Sequence, residues 1–555
     1  MNNKFLNITF VVLLIICFLG SLGVFKFRLD LTEEKKYTLS SSSIQILKKV
    51  QKPLLFEVYL DGDFPAAFRQ LQEETRFILQ EFRNINPLID YKFIDPIEKR
   101  IPRDTLEMMG LKPSLLSNVK EGRISELVLF PYAVLKTRSQ GLSVPLVVEK
   151  FGISSGDQIT RSIEELEYQL ISSINNLVTK GKKRVGILVN QDELGPRELH
   201  GFLSMASENY KIGALIPKNS RTLTQEDFPM LEKQDVLVIA KPRKPFTDNE
   251  KLILDQYIMN GGRSLWMVDA VRAEIDSLFS SKKMMAYPID LNLNDLFFSY
   301  GVRIQSALVK DLKKAAFIRL VTGEVAGNPQ YTSFLWPYFP IGISEKEHPI
   351  TKNINPVKFE FPTSIDTLYR KGIRKEVLFE SSTKTIIKKV PNLISLSEIM
   401  RTDSLSEREV PSSPKIFAVC MEGRFTSAYA SRSEKNEFPK FRSATVAPNK
   451  MIVVSDGDIA RNAIVKGNPL PLGYDVLTDT NYGNEQFLRN ALDYLLDDNR
   501  LMNLRNRKIE SRRLDLQRIE RERGYWQWLN LLVPVFFIVF LGMFFIILRK
   551  REYGN

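Results

Sequence analysis

Residues 185–189 of this chain read Val-Gly-Ile-Leu-Val, a short apolar run typical of a fully buried strand. Three similar runs follow, at residues 236–240, 265–268 and 451–454. Between them lie a further short run near residues 212–216 and two helical patterns, around 197–208 and at 249–259. Apolar runs that alternate with helical patterns predict an α/β fold built on a mostly parallel, doubly wound sheet.

This pattern places the second of two predicted domains at residues 181–498. The alternation is lost from about residue 271 to 448, where β-prone runs crowd together, and we expect an insertion rich in antiparallel strands there. After the insertion, residues 451–454 return to the sheet pattern and residues 484–496 predict a closing helix.

The first predicted domain covers residues 26–180. The serine run at 40–43 is a helix-start signal. Later elements are a strand at 54–60, a helix at 68–82, a strand at 89–94, a hairpin at 127–148 and a long helix at 159–177. The β-α-β unit has the outline of a thioredoxin-like fold, but no C-x-x-C pair is present, which excludes redox work.

Two uncharged apolar runs bracket the chain, at residues 8–25 and 529–548. As helices they would each cover roughly 27–30 Å, about the hydrocarbon thickness of a bilayer. We predict an N-terminal anchor within residues 1–25 and a C-terminal transmembrane helix at 529–548. A signal peptide is the alternative for the first run, with residues 21–23 as a weak cleavage candidate.

Two spans put both termini on one side of the membrane. Arg549, Lys550 and Arg551 follow the second span, and basic residues next to a span favour the cytoplasmic side. Against this, Lys26 and Arg28 follow the first span, but long domains translocate largely regardless of charge. We therefore predict an inner-membrane protein with cytoplasmic termini and a periplasmic bulk.

The net charge of +13 is concentrated beside the second span. Residues 500–523 hold nine Arg/Lys and four Asp/Glu, and residues 499–528 predict a basic helical stalk. No aromatic residues interleave with these charges, so the stacking platform of a single-strand nucleic-acid binder is missing. We read the stalk as a solvated helix, with a partner-binding or lipid-facing helix as the alternative.

Candidate chemistry is sparse. Two cysteines and two distant histidines, His200 and His348, argue against thiolate or histidine metal sites. The sequence has no G-K-[ST], so we expect no nucleotide hydrolysis by this chain, and we also expect no serine elbow. Ligands of parallel sheets bind beyond the carboxyl ends of the strands. The polar residues at those ends are Asn190, Asp192, Asp269, Ser455, Asp456 and Asp458.

Asp456-Gly457-Asp458 could hold a metal or a sugar hydroxyl, but Asp and Gly also simply build turns. We favour the turn, and we predict no catalytic, cofactor or metal residues.

Several short motifs occur in an order that resembles one family. They are Arg28-x-Asp30-Leu31-Thr32, Tyr37-Thr38-Leu39-Ser40, Tyr257 with Gly261-Gly262, Ser455-Asp456-Gly457, and residues 484–495 before the basic stalk. The chain resembles the gliding-motility-associated ABC transporter auxiliary proteins of Bacteroidetes, the GldG family. The resemblance implies a membrane subunit beside a separate ATPase and a separate permease. It also implies a degenerate amidotransferase-like α/β domain without established catalytic residues.

The leading hypothesis is therefore a non-catalytic, membrane-anchored auxiliary subunit of an ABC transporter. Its partners would be the ATPase and permease chains and the lipid bilayer, and its periplasmic part would engage cargo or envelope partners. Two alternatives stay open. One is an envelope glycan-binding protein or hydrolase that uses Asp269, Asp456 and Asp458, and the other is a pure scaffold with no ligand.

Overall fold

The computed structural model describes residues 38–506 and 516–553, apart from the short stretches 63, 121–122, 139–140, 149–152, 179–180, 220–221, 326, 345–347, 399–412 and 435–437. Two compact units are present, residues 1–507 and 508–555. The first apolar run, at 8–25, lies outside the described residues.

The first part of the larger unit is a four-stranded sheet with helices. Its elements are α1 Ser41–Lys48, β1 Leu54–Val58, α2 Ala66–Ile85, β2 Ile89–Phe93, α3 Arg103–Met108, β3 Ser114–Lys120, β4 Arg123–Leu129, β5 Tyr132–Lys136, β6 Gly141–Pro145 and α4 Ser155–Val178. The strand order is β2-β1-β5-β6, with β1 and β2 parallel and the other pairs antiparallel. As predicted, Ser40 begins the first helix, because its hydroxyl accepts a hydrogen bond from the Ser43 amide.

The predicted hairpin at 127–148 is shorter in the structure. Its first strand begins at Tyr132, and Leu129 ends β4, which pairs with β3 instead. Pro131 lies between these two strands and has no amide hydrogen to continue a ladder, so the chain turns there.

The second part contains the predicted parallel sheet. Its elements are β7 Arg184–Leu188, α5 His200–Asn209, β8 Lys211–Leu215, α6 Phe228–Glu232, β9 Val236–Ala240, α7 Asp248–Met259 and β10 Arg263–Met267. The order β8-β7-β9-β10 is parallel throughout. Strand β9 is buried on both faces: Val238 joins the hydrophobic cluster with α5, and Ile239 joins the cluster with α7. Burial on both faces explains its unbroken apolar sequence.

The region predicted as an insertion is rich in strands. Its elements are β11 Val271–Arg272, α8 Ile275–Ser281, β12 Lys283–Pro288, α9 Asn294–Tyr300, β13 Val302–Asp311, β14 Ala315–Val325, β15 Asn328–Gly342, β16 Val357–Lys358, β17 Thr363–Thr367, β18 Ile373–Glu380, β19 Thr385–Lys389, β20 Asn392–Ser395 and β21 Ile416–Gly423. Five of these strands extend the central sheet to ten strands, all by antiparallel pairing: β13, β17, β18, β19 and β21.

The chain then returns to the parallel sheet. The remaining elements are β22 Asn449–Val454, β23 Ile464–Val465, β24 Asn468–Pro469, β25 Tyr474–Asp475, β26 Thr480–Asn481, α10 Asn484–Leu496 and α11 Leu516–Tyr553. Strand β22 pairs in parallel with β10 and antiparallel with β21. It is therefore the strand where the parallel and antiparallel halves of the sheet meet.

The beginning of the predicted stalk differs from expectation. Residues Leu501–Asn506 form a 3₁₀ helix within the compact unit, and Leu501 and Met502 are buried in its hydrophobic core. The stalk was predicted to be a solvated helix, whereas Leu501 and Met502 pack on the protein itself.

The smaller unit holds the one described helix long and apolar enough to cross a membrane. The candidate span is Arg521–Arg551, and its most apolar window has no buried side chains in the structure. Pro534 lies inside this helix, which continues through it without a break.

Candidate functional site

The carboxyl ends of three parallel strands bring four charged residues together. Lys241 follows β9, Asp269 follows β10, and Asp456 and Asp458 follow β22. The Lys241 ammonium lies 3.4 Å from Asp269 Oδ2 and forms a shorter ion pair with Asp458 Oδ2. Sequence reasoning identified the three aspartates but missed the lysine, because a single Lys after a strand resembles any solvated strand end.

Backbone amides fix the aspartates. Asp269 Oδ1 accepts a hydrogen bond from the Gly457 amide, at 2.5 Å. The two oxygens of Asp456 accept from the amides of Asp458 (2.8 Å) and Glu360 (2.7 Å). These bonds occupy the carboxylates on the protein side and close the turn after β22.

Gly457 is required by the close approach of Lys241. A Cβ atom at this position would lie 2.5 Å from Lys241 Cγ and 3.0 Å from its backbone Cα. The lysine itself has a left-handed backbone, with φ of 54°. The left-handed backbone of Lys241 and the lack of a side chain at Gly457 therefore let these two residues pack directly against each other at the carboxyl ends of the strands.

Burial and charge shift the pKa values of this cluster. Burial, followed by the negative charges of Asp458 and Asp269, raises the pKa of Asp456 well above its usual range. Burial likewise raises the pKa of Asp269, although the Lys241 charge opposes it. Burial would lower the pKa of Lys241, but the charges of Asp458 and Asp269 outweigh it and the pKa rises. The lysine therefore stays cationic and acts as the counter-ion of the site.

Arg461 extends the network towards the surface. Its guanidinium lies 3.6 Å from Asp458 Oδ1, 3.5 Å from Glu198 and 3.2 Å from Asp276. Ser455 faces the other way and donates to the carbonyl of Thr363, at 2.7 Å. The predicted serine is therefore a link to the antiparallel half of the sheet.

Asn190 and Asp192, the residues predicted at the end of β7, stand apart from the aspartates. Asn190 donates to the buried carboxylate of Glu250, at 2.7 Å, and Asp192 is exposed. Among the described residues, no hydrogen bond or ion pair joins either of them to Asp269, Asp456 or Asp458.

Glu193, which was not predicted from the sequence, lies beside Asn190 and Asp192. Its Oε2 accepts hydrogen bonds from the amides of Asn190 (2.9 Å) and Gln191 (2.8 Å), and its Oε1 is buried without a hydrogen-bond partner. Burial raises the pKa of Glu193 to about 7. This carboxyl is thus a titrating group at the topological switch point of the parallel sheet, where the strand order reverses around β7 and β9.

The cluster is arranged for charge pairing. The described part of the chain contains no group of three or more His, Cys, Asp or Glu residues able to hold a metal ion. Lys241 occupies the position between carboxylates that a cation would take. His348 is buried 2.9 Å from Glu376, and burial lowers its pKa to about 4, which keeps the imidazole neutral.

A cavity of about 300 Å³ lies at the amino ends of the parallel strands, opposite the charged cluster at their carboxyl ends. It is lined by Lys183, Phe228, Glu232, Gln234, Asp235, Tyr257, Asn260, Gly261, Gly262, Arg263 and Asp498. Lys183 and Arg263 form ion pairs with Asp498 across it, at 2.8 and 2.5 Å. The glycine pair that follows α7, Gly261-Gly262, therefore forms part of the cavity wall.

Comparison with protein families places the central region. Residues 182–491, more than half of the chain, match the model of a family described as an ABC-type uncharacterized transport system. This chain belongs to that family. Residues 33–136 match a domain of unknown function, DUF7088. The association with ABC transport predicted from the sequence is thus confirmed at the level of the family.

Two solved structures align with part of this chain at low sequence identity. No curated protein matches the chain. Among solved structures, the mmIFT52 N-terminal domain aligns over 57% of this chain and 99% of its own, with 14% identity and a TM-score of 0.32. A putative ThuA-like protein from Parabacteroides merdae aligns over 57% and 91%, with 10% identity and a TM-score of 0.25.

Proposed function

We propose that this chain is a non-catalytic auxiliary subunit of an ABC transporter associated with gliding motility. In this proposal it is held in the inner membrane by two spans, with cytoplasmic termini and a large periplasmic unit that contacts cargo or envelope partners. The family match over residues 182–491 carries the transport assignment. The order of short motifs that resembles GldG supports the narrower link to gliding.

The C-terminal helix supports the membrane anchor. Tyr525, Trp526 and Trp528 precede its uncharged run, and Arg549 to Arg551 follow it. Aromatic residues at one interface and basic residues at the other are typical of a span that ends on the cytoplasmic side. The second span of the proposal is the apolar run at residues 8–25.

The strand-end cluster supports a non-catalytic role. A hydrolase that used these aspartates would need a carboxyl group that reaches its substrate, whereas Asp456 is fully buried and both of its oxygens accept backbone amides. Asp269 and Asp458 are paired with Lys241. The sequence has no G-K-[ST] motif, so the ATPase is proposed as a separate chain, and the permease likewise.

The first part of the unit fits a thioredoxin-like interaction module. Its parallel β1-β2 pair, with α2 between them, and its antiparallel β1-β5-β6 set support this fold. Holding such a module at both ends confines it near the permease and raises its local concentration there.

Co-purification in mild detergent tests the proposal. A tag on the full chain should recover an ATPase and a permease, identified by mass spectrometry. The matched control is the same chain with residues 508–555 replaced by an unrelated transmembrane helix, which should recover less of both. Isolation of the chain alone in several detergents would contradict the proposed function.

A further inference from the structure

One long helix, α4, contacts both ends of the described part of the larger unit, residues 38–506. It carries two buried glutamates two positions apart, Glu165 and Glu167, whose side chains are 1% and 8% exposed. Each of them binds one end of the unit. Glu167 binds the segment that begins the described chain, and Glu165 binds the segment that leads to residue 507.

The N-terminal end is held by hydrogen bonds to one carboxylate oxygen. Glu167 Oε1 accepts from the Ser40 amide at 2.8 Å and from the Ser43 hydroxyl at 2.6 Å. Ser43 is fully buried, and Ser40 caps α1. The first turn of α1 is therefore fixed to the middle of α4.

The C-terminal end runs along α4 in the opposite direction. Asn499 donates to Asn175 at 3.2 Å, and the Tyr168 hydroxyl donates to Met502 Sδ at 2.8 Å. Arg505 then lies 3.1 Å from Glu165. As the residue number rises in one segment it falls in the other, so residues 499–505 retrace α4 towards its N-terminus.

Arg505 closes this contact as a buried ion. Its guanidinium is 4% exposed and donates to the carbonyls of Pro349 (3.1 Å) and Lys352 (2.8 Å) as well as to Glu165. Glu165 also accepts from Asn353, at 2.8 Å. Removing one partner of such a pair leaves a buried charge unpaired, which makes the contact hard to open.

Both ends meet α4 at the same level. Glu165, Glu167 and Tyr168 lie within one helical turn, which rises about 5.4 Å. The last residues before 507 and the first turn of α1 are therefore attached at the same level of α4 but on different sides of it, because helix residues two positions apart point in nearly opposite directions. We propose that α4 couples the two ends of the unit mechanically. Both ends are attached to this helix, so that loosening one end loosens the other. Resting on the proposed function, this coupling would let both membrane-side segments act on the unit through one helix.

Cross-linking in the full chain tests the proximity. Ser41 and Asn503 are exposed, and Ser41→Cys with Asn503→Cys should give an intramolecular product in native membranes with a bis-maleimide whose spacer exceeds the roughly 10–12 Å diameter of a helix. With Cys17→Ser in both proteins, the remaining native thiol is that of Cys420, which is buried. Ser280→Cys with Asn503→Cys is the matched control, because Ser280 lies on α8, in the separate core of the insertion. Equal yields for the two pairs would overturn the proposal.

Hydrogen exchange tests the coupling. Arg505→Met should speed amide exchange in α1 about tenfold as well as in residues 499–505, and Ser43→Ala should speed exchange at the far end in the same way. Arg500→Met, which removes the same charge from an exposed position, should change neither. Slow exchange in β9 shows that the variants remain folded. An effect confined to the mutated end in both variants would refute the coupling of the two ends through α4.

This readout is independent of the transporter. Capture of the ATPase and permease is measured on the same variants. If the proposed function fails, capture is absent while the exchange pattern persists. If only the proposed coupling through α4 fails, the exchange pattern is absent while capture of the ATPase and permease persists.

Discussion

At the scale of single residues, Lys241 is the residue on which the strand-end cluster depends. Its side chain is 6% exposed and faces two carboxylates. We expect Lys241→Met to lower the free energy of unfolding by about 3–5 kcal/mol, because it leaves buried charges unpaired. Chemical denaturation in detergent measures the change.

A rescue separates charge pairing from packing. Adding Asp269→Asn and Asp458→Asn to Lys241→Met should restore most of the stability, since the two carboxylates that Lys241 pairs with are then also removed. Lys244→Met, at an exposed position, is the control and should change little. A triple variant as unstable as the single one would contradict the charge-pairing account.

Glu193 predicts a pH dependence. Its pKa rises from 4.5 to about 7 on folding, so the folded state favours the protonated form. The stabilisation is fully present below pH 4.5 and is lost as the pH rises to about 7, by roughly 3 kcal/mol at 1.36 kcal/mol per unit. Glu193→Gln should therefore flatten the stability profile between pH 4.5 and 8 and raise stability at pH 8. Parallel profiles for the two proteins would contradict the assignment.

At the scale of elements, the turn between α7 and β10 depends on Gly262. A Cβ atom there would lie 2.3 Å from the buried ring of Tyr257. We expect Gly262→Ala to lower stability by about 1–3 kcal/mol through overpacking. Gly213→Ala, in β8 with no atom within 4 Å of the added carbon, is the control. Thermal unfolding of the two variants decides, and equal midpoints would contradict the close packing.

The parallel strands β7, β9, β10 and β22 could be predicted from the sequence because each contains a local apolar run buried on both faces. Helix α10 could also be predicted from a local pattern, because its apolar residues form a single amphipathic stripe. The antiparallel strands β13, β17 and β21 extend the same sheet, and their pairing joins residues far apart in the chain. No local pattern specifies such pairing.

The candidate site was predictable in part. The positions of Asp269, Asp456 and Asp458 follow from parallel strand ends, which meet at one sheet edge. Lys241 could not be predicted, because its burial results from a strained backbone and a glycine more than 200 residues away in sequence. The contact of residues 501–506 with α4 likewise depends on tertiary packing.

At the scale of the whole molecule, the proposal of two spans predicts how truncated chains distribute. A chain without residues 508–555 should remain in the membrane pellet after an alkaline wash, because the run at 8–25 still anchors it. A chain that also lacks residues 1–25 should appear in the supernatant. Release of the first truncated chain would contradict an N-terminal anchor.

The most direct test of the central claim is site-specific photo-cross-linking in native membranes. A photoreactive residue at Phe536, on the exposed apolar face of α11, should give an adduct whose peptides belong to an ABC permease. The same probe at Tyr369, 86% exposed in the larger unit, serves as the comparison for non-specific capture. Permease adducts from Phe536 above the Tyr369 level are the predicted result, and adducts with lipid or unrelated proteins alone would contradict the account.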